Sequence, residues 1–116
     1  TRPGAPVAAG YAVTHYLGQK GYQQLVKNCM KTTQYTIQKI TDLGLNLVMK
    51  PKLNVITVKV THLDEIVDRL AEYGWKVNKI DHLSSFRIVI MPQITKKIID
   101  EFIPILKKTC KEVNEL

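Results

Sequence analysis

One arginine, one glycine-flanked tetrapeptide and a few isolated histidines, serines and cysteines are the residues of this 116-residue chain whose types could do chemistry. Arg87 lies in an apolar run between Phe86 and Ile88. A charge beside a core calls for a partner, and the planar fork of a guanidinium suits a carboxylate. The run therefore leaves two readings open. Arg87 holds a carboxylate ligand, or it is an edge-strand arginine that reaches solvent or pairs with Asp81. Gly18-Gln19-Lys20-Gly21 falls between two helical patterns, where the GxxG loop of a KH module clamps a nucleic-acid backbone. Such a tetrapeptide is common, and no strand precedes the first helix. One glycine as a helix stop and the other opening a turn explains it without a ligand, so nucleic-acid binding is kept only as the alternative.

The remaining candidates carry less. His15, His62 and His82 stand far apart with no carboxylate or cysteine at ligand spacing, so no metal site is expected. Ser84 and Ser85 lack a nucleophile elbow, which leaves a triad hydrolase without support. Cys29 and Cys110 sit singly on helical patterns and read as small buried apolar residues. Lysine and arginine exceed aspartate and glutamate by 17 to 10, a net charge of +7. The lysines are scattered through every segment, which fits solvated faces better than a nucleic-acid footprint. No apolar run approaches the roughly 20 residues of a membrane-spanning helix. There is no basic-then-apolar leader either, and a cytoplasmic protein is the expectation.

The positioning elements follow from periodicity. Pro6 to Leu17 is apolar almost all round (Val7, Ala8, Ala9, Tyr11, Ala12, Val13), predicting a helix enclosed on most sides. After Gly18, Tyr22, Leu25, Cys29, Thr33, Ile37 and Ile40 recur at helical spacing until Gly44 stops the pattern. Strands are predicted over Asn46 to Lys50 and Asn54 to Val60, with Pro51 in the turn between them. Thr61 and Asp64 have capping-box spacing before a helix through Leu63, Ile66, Val67 and Leu70, stopped by Gly74. Strands from Trp75 to Ile80 and from Phe86 to Met91 come next. Thr95 caps a last helix with the stripe Ile98, Phe102, Leu106, Cys110 and Val113, in which Pro104 introduces a kink. The class is α+β: two N-terminal helices, then ββαββα, giving a four-stranded, mostly antiparallel sheet covered by helices on one face.

Several runs carry a resemblance. Thr1-Arg2-Pro3-Gly4-Ala5, then Val7 to Val13, then Leu17-Gly18-Gln19-Lys20-Gly21-Tyr22, resembles the G-[ST]-R-x-G, A-x-W/Y-A and L-G-x-x-G-Y run of group II pyridoxal-phosphate decarboxylases. Pro51 to Val58 is similar to that family's P-x-x-N-V-V-S-F strand, Leu70 to Val77 to its L-x-x-x-G-W-x-V, and Phe86 to Thr95 to its L-R-I-V-V-M-P-x-x-T. The likeness covers essentially the whole chain and is nearest to the archaeal tyrosine/aspartate decarboxylases. The Arg-Pro-Gly-Ala start also resembles sphingosine-phosphate lyases, and glutamate decarboxylases are a more distant match.

The resemblance implies the C-terminal domain of a fold-type I enzyme, normally a homodimer with active sites at the subunit boundary. It casts residues 1–18 as a linker and helix joined to a missing large domain, and residues 19–116 as the small domain. Arg87 matches the arginine that holds the substrate's α-carboxylate, and Thr1 and Arg2 match the segment beside the cofactor phosphate. The cofactor is pyridoxal 5'-phosphate, in the complete enzyme and not in this chain alone. The lysine that anchors it follows a histidine in the large domain, and no His-Lys dipeptide occurs here. The chain is thus expected to be excised or separate from a longer protein, to decarboxylate nothing unaided, and to self-associate through the apolar helix at Val7, Tyr11 and Val13.

Overall fold

The computed structural model describes residues 2–116. Its elements are α1 (Gly4–Asp42), β1 (Asn46–Leu47), β2 (Val55–Lys59), α2 (Leu63–Glu72), β3 (Asn78–Ile80), β4 (Ser85–Val89) and α3 (Lys96–Glu112), with a 3-10 turn over Asp81–Leu83 between β3 and β4. Both predicted N-terminal helices lie within α1. They meet at Gly18, whose φ of 56° and ψ of −173° interrupt the helix. That backbone region is open essentially to glycine alone. Pro6 causes no break, because in a first turn its missing amide has no helical acceptor to lose.

The two arms of α1 differ in what they touch. Every buried residue of the helix belongs to the second arm: Cys29, Thr33, Thr36 and Ile40 follow one another at helical spacing and pack on the sheet and α3. The buried hydroxyls of Thr33 and Thr36 donate back to the carbonyls of Cys29 and Thr32, each at 2.8 Å, so a stripe containing two threonines closes without unpaired donors. Tyr22, predicted for this stripe, is exposed instead. In the first arm Val7 and Tyr11 are 64% and 67% exposed. Gly44, at φ 93°, ends the second arm as its spacing predicts.

The sheet has the order β1-β2-β4-β3, and every pairing in it is antiparallel. Ile56 and Val58 of β2 and Phe86 of β4 are buried on the side that receives the helices. Ile66 and Leu70 of α2 meet them there with Ile99, Phe102, Leu106 and Cys110 of α3. Three cross-strand rows form the opposite face. They are Val55 with Val89, Thr57 with Arg87 and Asn78, and Asn46 with Lys59, Ser85 and Ile80. Among the described residues no helix covers this second face, although Ser85 at its end is fully buried.

All four strands are shorter than predicted, β1 and β3 most of all. The chain leaves the β1 ladder after Val48, whose amide still donates to the Thr57 carbonyl at 2.9 Å, because Pro51 lies ahead with no amide to offer. β3 starts only at Asn78. The Trp75 amide is used to close α2 on the Leu70 carbonyl at 2.8 Å, and its ring packs 5.1 Å from Phe102, which holds residues 75–77 off the ladder. The capping box at Thr61 and Asp64 does not form, since the residue before α2 is His62 and it makes no side-chain cap. Thr95 does cap α3, accepting from the Ile98 amide at 3.4 Å, and the helix continues through the exposed Pro104.

Leu106, fully buried among α3, α2 and the sheet, should dominate stability in a way the first arm of α1 does not. Leu106→Ala is expected to lower the unfolding free energy by about 2–5 kcal/mol. Val7→Ala should change it by less than about 0.5 kcal/mol. Urea titration with a shifted midpoint and an unchanged slope is the check.

Candidate functional site

Arg87 owes its position to the pleat of β4. Phe86 points into the core, so its neighbour must point away from it. β4 lies between β2 and β3, and this overturns the edge-strand reading of Arg87. The guanidinium stands on the open face at the middle of the sheet, opposite Thr57 on one side and Asn78 on the other. It is exposed, and among the described residues it makes neither an ion pair nor a side-chain hydrogen bond.

Asp81 is not its partner. That carboxylate lies 2.9 Å from Lys79, which also binds Asp64 of α2, and the two acids raise the Lys79 pKa. Lys79 is opposite Phe86 in the register and so leans from the sheet edge toward the helices, taking both carboxylates to the side away from Arg87. The nine residues of the open-face rows include two cations, Lys59 and Arg87, and no acid. A face with that composition attracts anions, and at its centre is a fork shaped for a carboxylate.

The other predicted residues do not gather around Arg87. Arg2 is exposed at the far end of the unpacked arm of α1, and Thr1 lies outside the described residues. A cleft of about 260 Å³ opens where β3 falls short of β4, lined by Trp75, Val77, Asn78, Arg87, Ile88 and Phe102 among others. Arg2 does not line it. Gly18 to Gly21 is no phosphate-clamping loop, since the helix resumes at Gln19 and Gly21 sits inside it. A Cβ on Gly21 would come within 2.9 Å of the Leu17 Cβ. Its glycine serves close packing, and the loop that the nucleic-acid alternative needs is absent from these residues.

His15 and His82 lie on exposed surfaces, and no three metal-ligating side chains come together among the described residues. Both cysteines are free and buried, and burial pushes the Cys110 thiol up to about 11, with the charge of Glu115 adding to the effect. Such a thiol is protonated at neutral pH and is a weak nucleophile.

Sequence reading missed Glu115. Its carboxylate, 10% exposed, accepts from the amides of Thr61 and His62 at 2.8–3.0 Å and meets the His62 Nδ1 at 3.1 Å. It does for the start of α2 what the local capping box was predicted to do. No local signal marks a cap delivered from 54 residues away. Burial by itself would raise the Glu115 carboxyl, but the amide and imidazole donors outweigh it and hold the group below its usual value of 4.5.

With the geometry in place, the similarities to known proteins can be read. No family model matches the chain. A probable L-tyrosine/L-aspartate decarboxylase of Methanocella arvoryzae is 36% identical over 108 residues, 93% of this chain and 29% of that protein. An L-tyrosine/L-aspartate decarboxylase of Methanocaldococcus jannaschii is 35% identical over 91% of this chain and 27% of its own length. The chain matches the C-terminal part of these decarboxylases. It spans less than a third of the curated relatives it matches. Among solved structures, a sphingosine-1-phosphate lyase of Burkholderia pseudomallei superposes with a TM-score of 0.84 at 20% identity, over 96% of this chain and 26% of that one. The α+β fold of this chain is therefore that of the matching portion of this lyase.

The Glu115 clamp has a pH signature. A carboxyl held below its ordinary value stabilises the fold fully above the unfolded value, near 4.5, and loses that contribution as pH falls through the folded one. At pH 7, Glu115→Ala is expected to destabilise by about 1–2 kcal/mol, as loss of a helix cap does. The gap between the variant and the parent should narrow steadily below pH 4.5. Urea midpoints measured at pH 7, 5, 4 and 3 decide it, and a gap independent of pH would remove the charge from the explanation.

Proposed function

We propose that this chain is the substrate-carboxylate-binding C-terminal portion of a pyridoxal-phosphate-dependent amino-acid decarboxylase. The amino acids it fits are L-tyrosine, L-aspartate and L-glutamate. The observation that carries the proposal is the unpaired guanidinium of Arg87 at the centre of an acid-free sheet face, in a chain that matches tyrosine/aspartate decarboxylases over more than nine-tenths of its length. Arg87 is not on an edge strand and Asp81 pairs with Lys79, so the guanidinium reaches solvent from inside the sheet with its fork open to a ligand.

In this reading the open face turns toward the large domain that the chain's relatives possess. Arg87 grips the α-carboxylate of the substrate and fixes the direction of its bond to Cα. When bound, the cofactor supplies an electron sink for the electrons that this bond releases. Orientation is this chain's share of the catalysis, because holding the scissile bond in a reactive geometry removes much of the entropic barrier. The described residues offer no cradle for the cofactor as a whole. Arg2, exposed and unpacked, has a guanidinium free to reach a phosphate held elsewhere, and with Thr1 it is assigned to the phosphate side. The chain alone is not an enzyme. Its two free cysteines suit the reducing cytosol, where the complete protein is placed.

Joined to the upstream part of a tyrosine/aspartate decarboxylase relative, the chain should give a protein with a pyridoxal absorbance band and lyase activity on L-tyrosine, L-aspartate or L-glutamate. Absence of both the band and the activity would sink the assignment. In that protein Arg87→Ala should lower kcat/KM by about 100- to 1,000-fold, the scale expected when two charge-assisted hydrogen bonds are lost.

The proposal extends to assembly. The first arm of α1 exposes Val7, Tyr11, Val13 and Tyr16 together, and an isolated helix of that length is marginal in water. Without the large domain, the arm is assigned to pair with a second copy through Val7, Tyr11 and Val13. Sedimentation at micromolar concentration should show dimers that Val7→Asp converts to monomers. A monomer in both cases would count against self-association.

A further inference from the structure

The row that contains Arg87 has two more members, and neither has been given a task. Thr57, Arg87 and Asn78 are aligned across β2, β4 and β3, with Thr57 and Asn78 directly opposite the arginine on the same face. Adjacent side chains so placed are separated at Cβ by about 5 Å, so Thr57 and Asn78 each neighbour Arg87 and flank a ligand group held over it from two sides. The rows on either side differ in kind. Val55 and Val89 make an apolar row, and the row beyond combines Asn46, Lys59, Ser85 and Ile80. No hydrogen bond involves the side chain of Asn78 or Thr57 among the described residues, although a carboxamide and a hydroxyl are strong hydrogen-bonding groups.

Asn78 is the more telling of the two. Threonine is at home in a strand, whereas asparagine is depleted there, and a three-residue edge strand can least bear a poor strand former. Its local propensity argues against it and no partner among the described residues accounts for it.

We propose that Asn78 and Thr57 complete the carboxylate site, donating to the substrate's α-carboxylate from the two sides of Arg87. This rests on the assignment of Arg87 made above and specifies how the same site selects its ligand. A carboxylate has about four lone-pair positions, of which a guanidinium fork fills two. The Asn78 amide and the Thr57 hydroxyl fill those that remain. The site then recognises the intact α-amino acid and not the amine it becomes, because each of the three residues addresses the group that leaves as carbon dioxide.

The test uses the complete enzyme, with the substrate and product amine compared in parallel. The pair is L-tyrosine with tyramine, or L-aspartate with β-alanine, whichever the enzyme turns over. Asn78→Ala and Asn78→Ser should raise KM for the amino acid by about 10-fold or more, and Asn78→Asp by about 100-fold, as expected for losing a hydrogen bond to a charged group and for adding a like charge. Thr57→Val should raise it by about fivefold. Inhibition by the amine should stay within about twofold in all four variants, with the pyridoxal band unchanged, because the amine lacks the group being read. A purely structural role would weaken both ligands together. If Arg87→Ala shows the carboxylate-selective loss while the Asn78 variants leave KM unmoved, or weaken the amine equally, the extended site is wrong and the role of Arg87 stands. If Arg87→Ala itself shows no such selectivity, the functional assignment fails and the extended site fails with it.

Discussion

A pleated strand sends neighbouring side chains to opposite faces, and in β4 this separates two that could not share one environment. Phe86 is among the largest fully buried side chains of the domain, and Arg87 carries a permanent charge. The burial of Phe86 against α2 and α3 fixes the register of β4, since a slip of one residue would send the guanidinium into the core. The same burial holds Arg87 on the uncovered face. Stability and the proposed carboxylate site therefore share one backbone segment, so the strand cannot readjust for one without disturbing the other.

Charge placement reinforces that division. Asp64 and Asp81 could each neutralise a nearby cation, and both are committed to Lys79 on the helix side of the sheet edge. The exposed pairs contribute little to stability, as surface ion pairs generally do. Their effect is on what remains, open-face rows whose charged members among the described residues are Lys59 and Arg87. A self-neutralised arginine would have to lose its internal partner before taking a ligand, and among the described residues Arg87 has none to lose.

Much of this was legible in the sequence because it follows from local periodicity. The alternation of Phe86, Ile88 and Ile90 with Arg87 gave the face of the arginine, and Ile66, Leu70, Phe102, Leu106 and Cys110 gave the core sides of two helices. The resemblance to family motifs singled out Arg87 for the proposed role at the carboxylate. What the chain hid was long-range. The order of the strands, which moves Arg87 from an edge to the middle, depends on β3 pairing with β4 and not with β2. The alignment of Asn78 with Arg87 needs that register as well. The shortening of β3 comes from Trp75 finding Phe102 across the domain. Thr61 and Asp64 misled for the opposite reason: their spacing was right, but a carboxylate from the last turn of the chain occupied the place first.

That last carboxylate bears on how the chain comes to fold. Glu115 seals the junction between β2 and α2, so two regions 54 positions apart must meet before the start of α2 is satisfied. Closing a loop of that size costs about 3–4 kcal/mol of chain entropy by the logarithmic scaling of closure with length. The first turn of α2 thus belongs to the long-range contacts of the domain, which close more slowly than a local cap would.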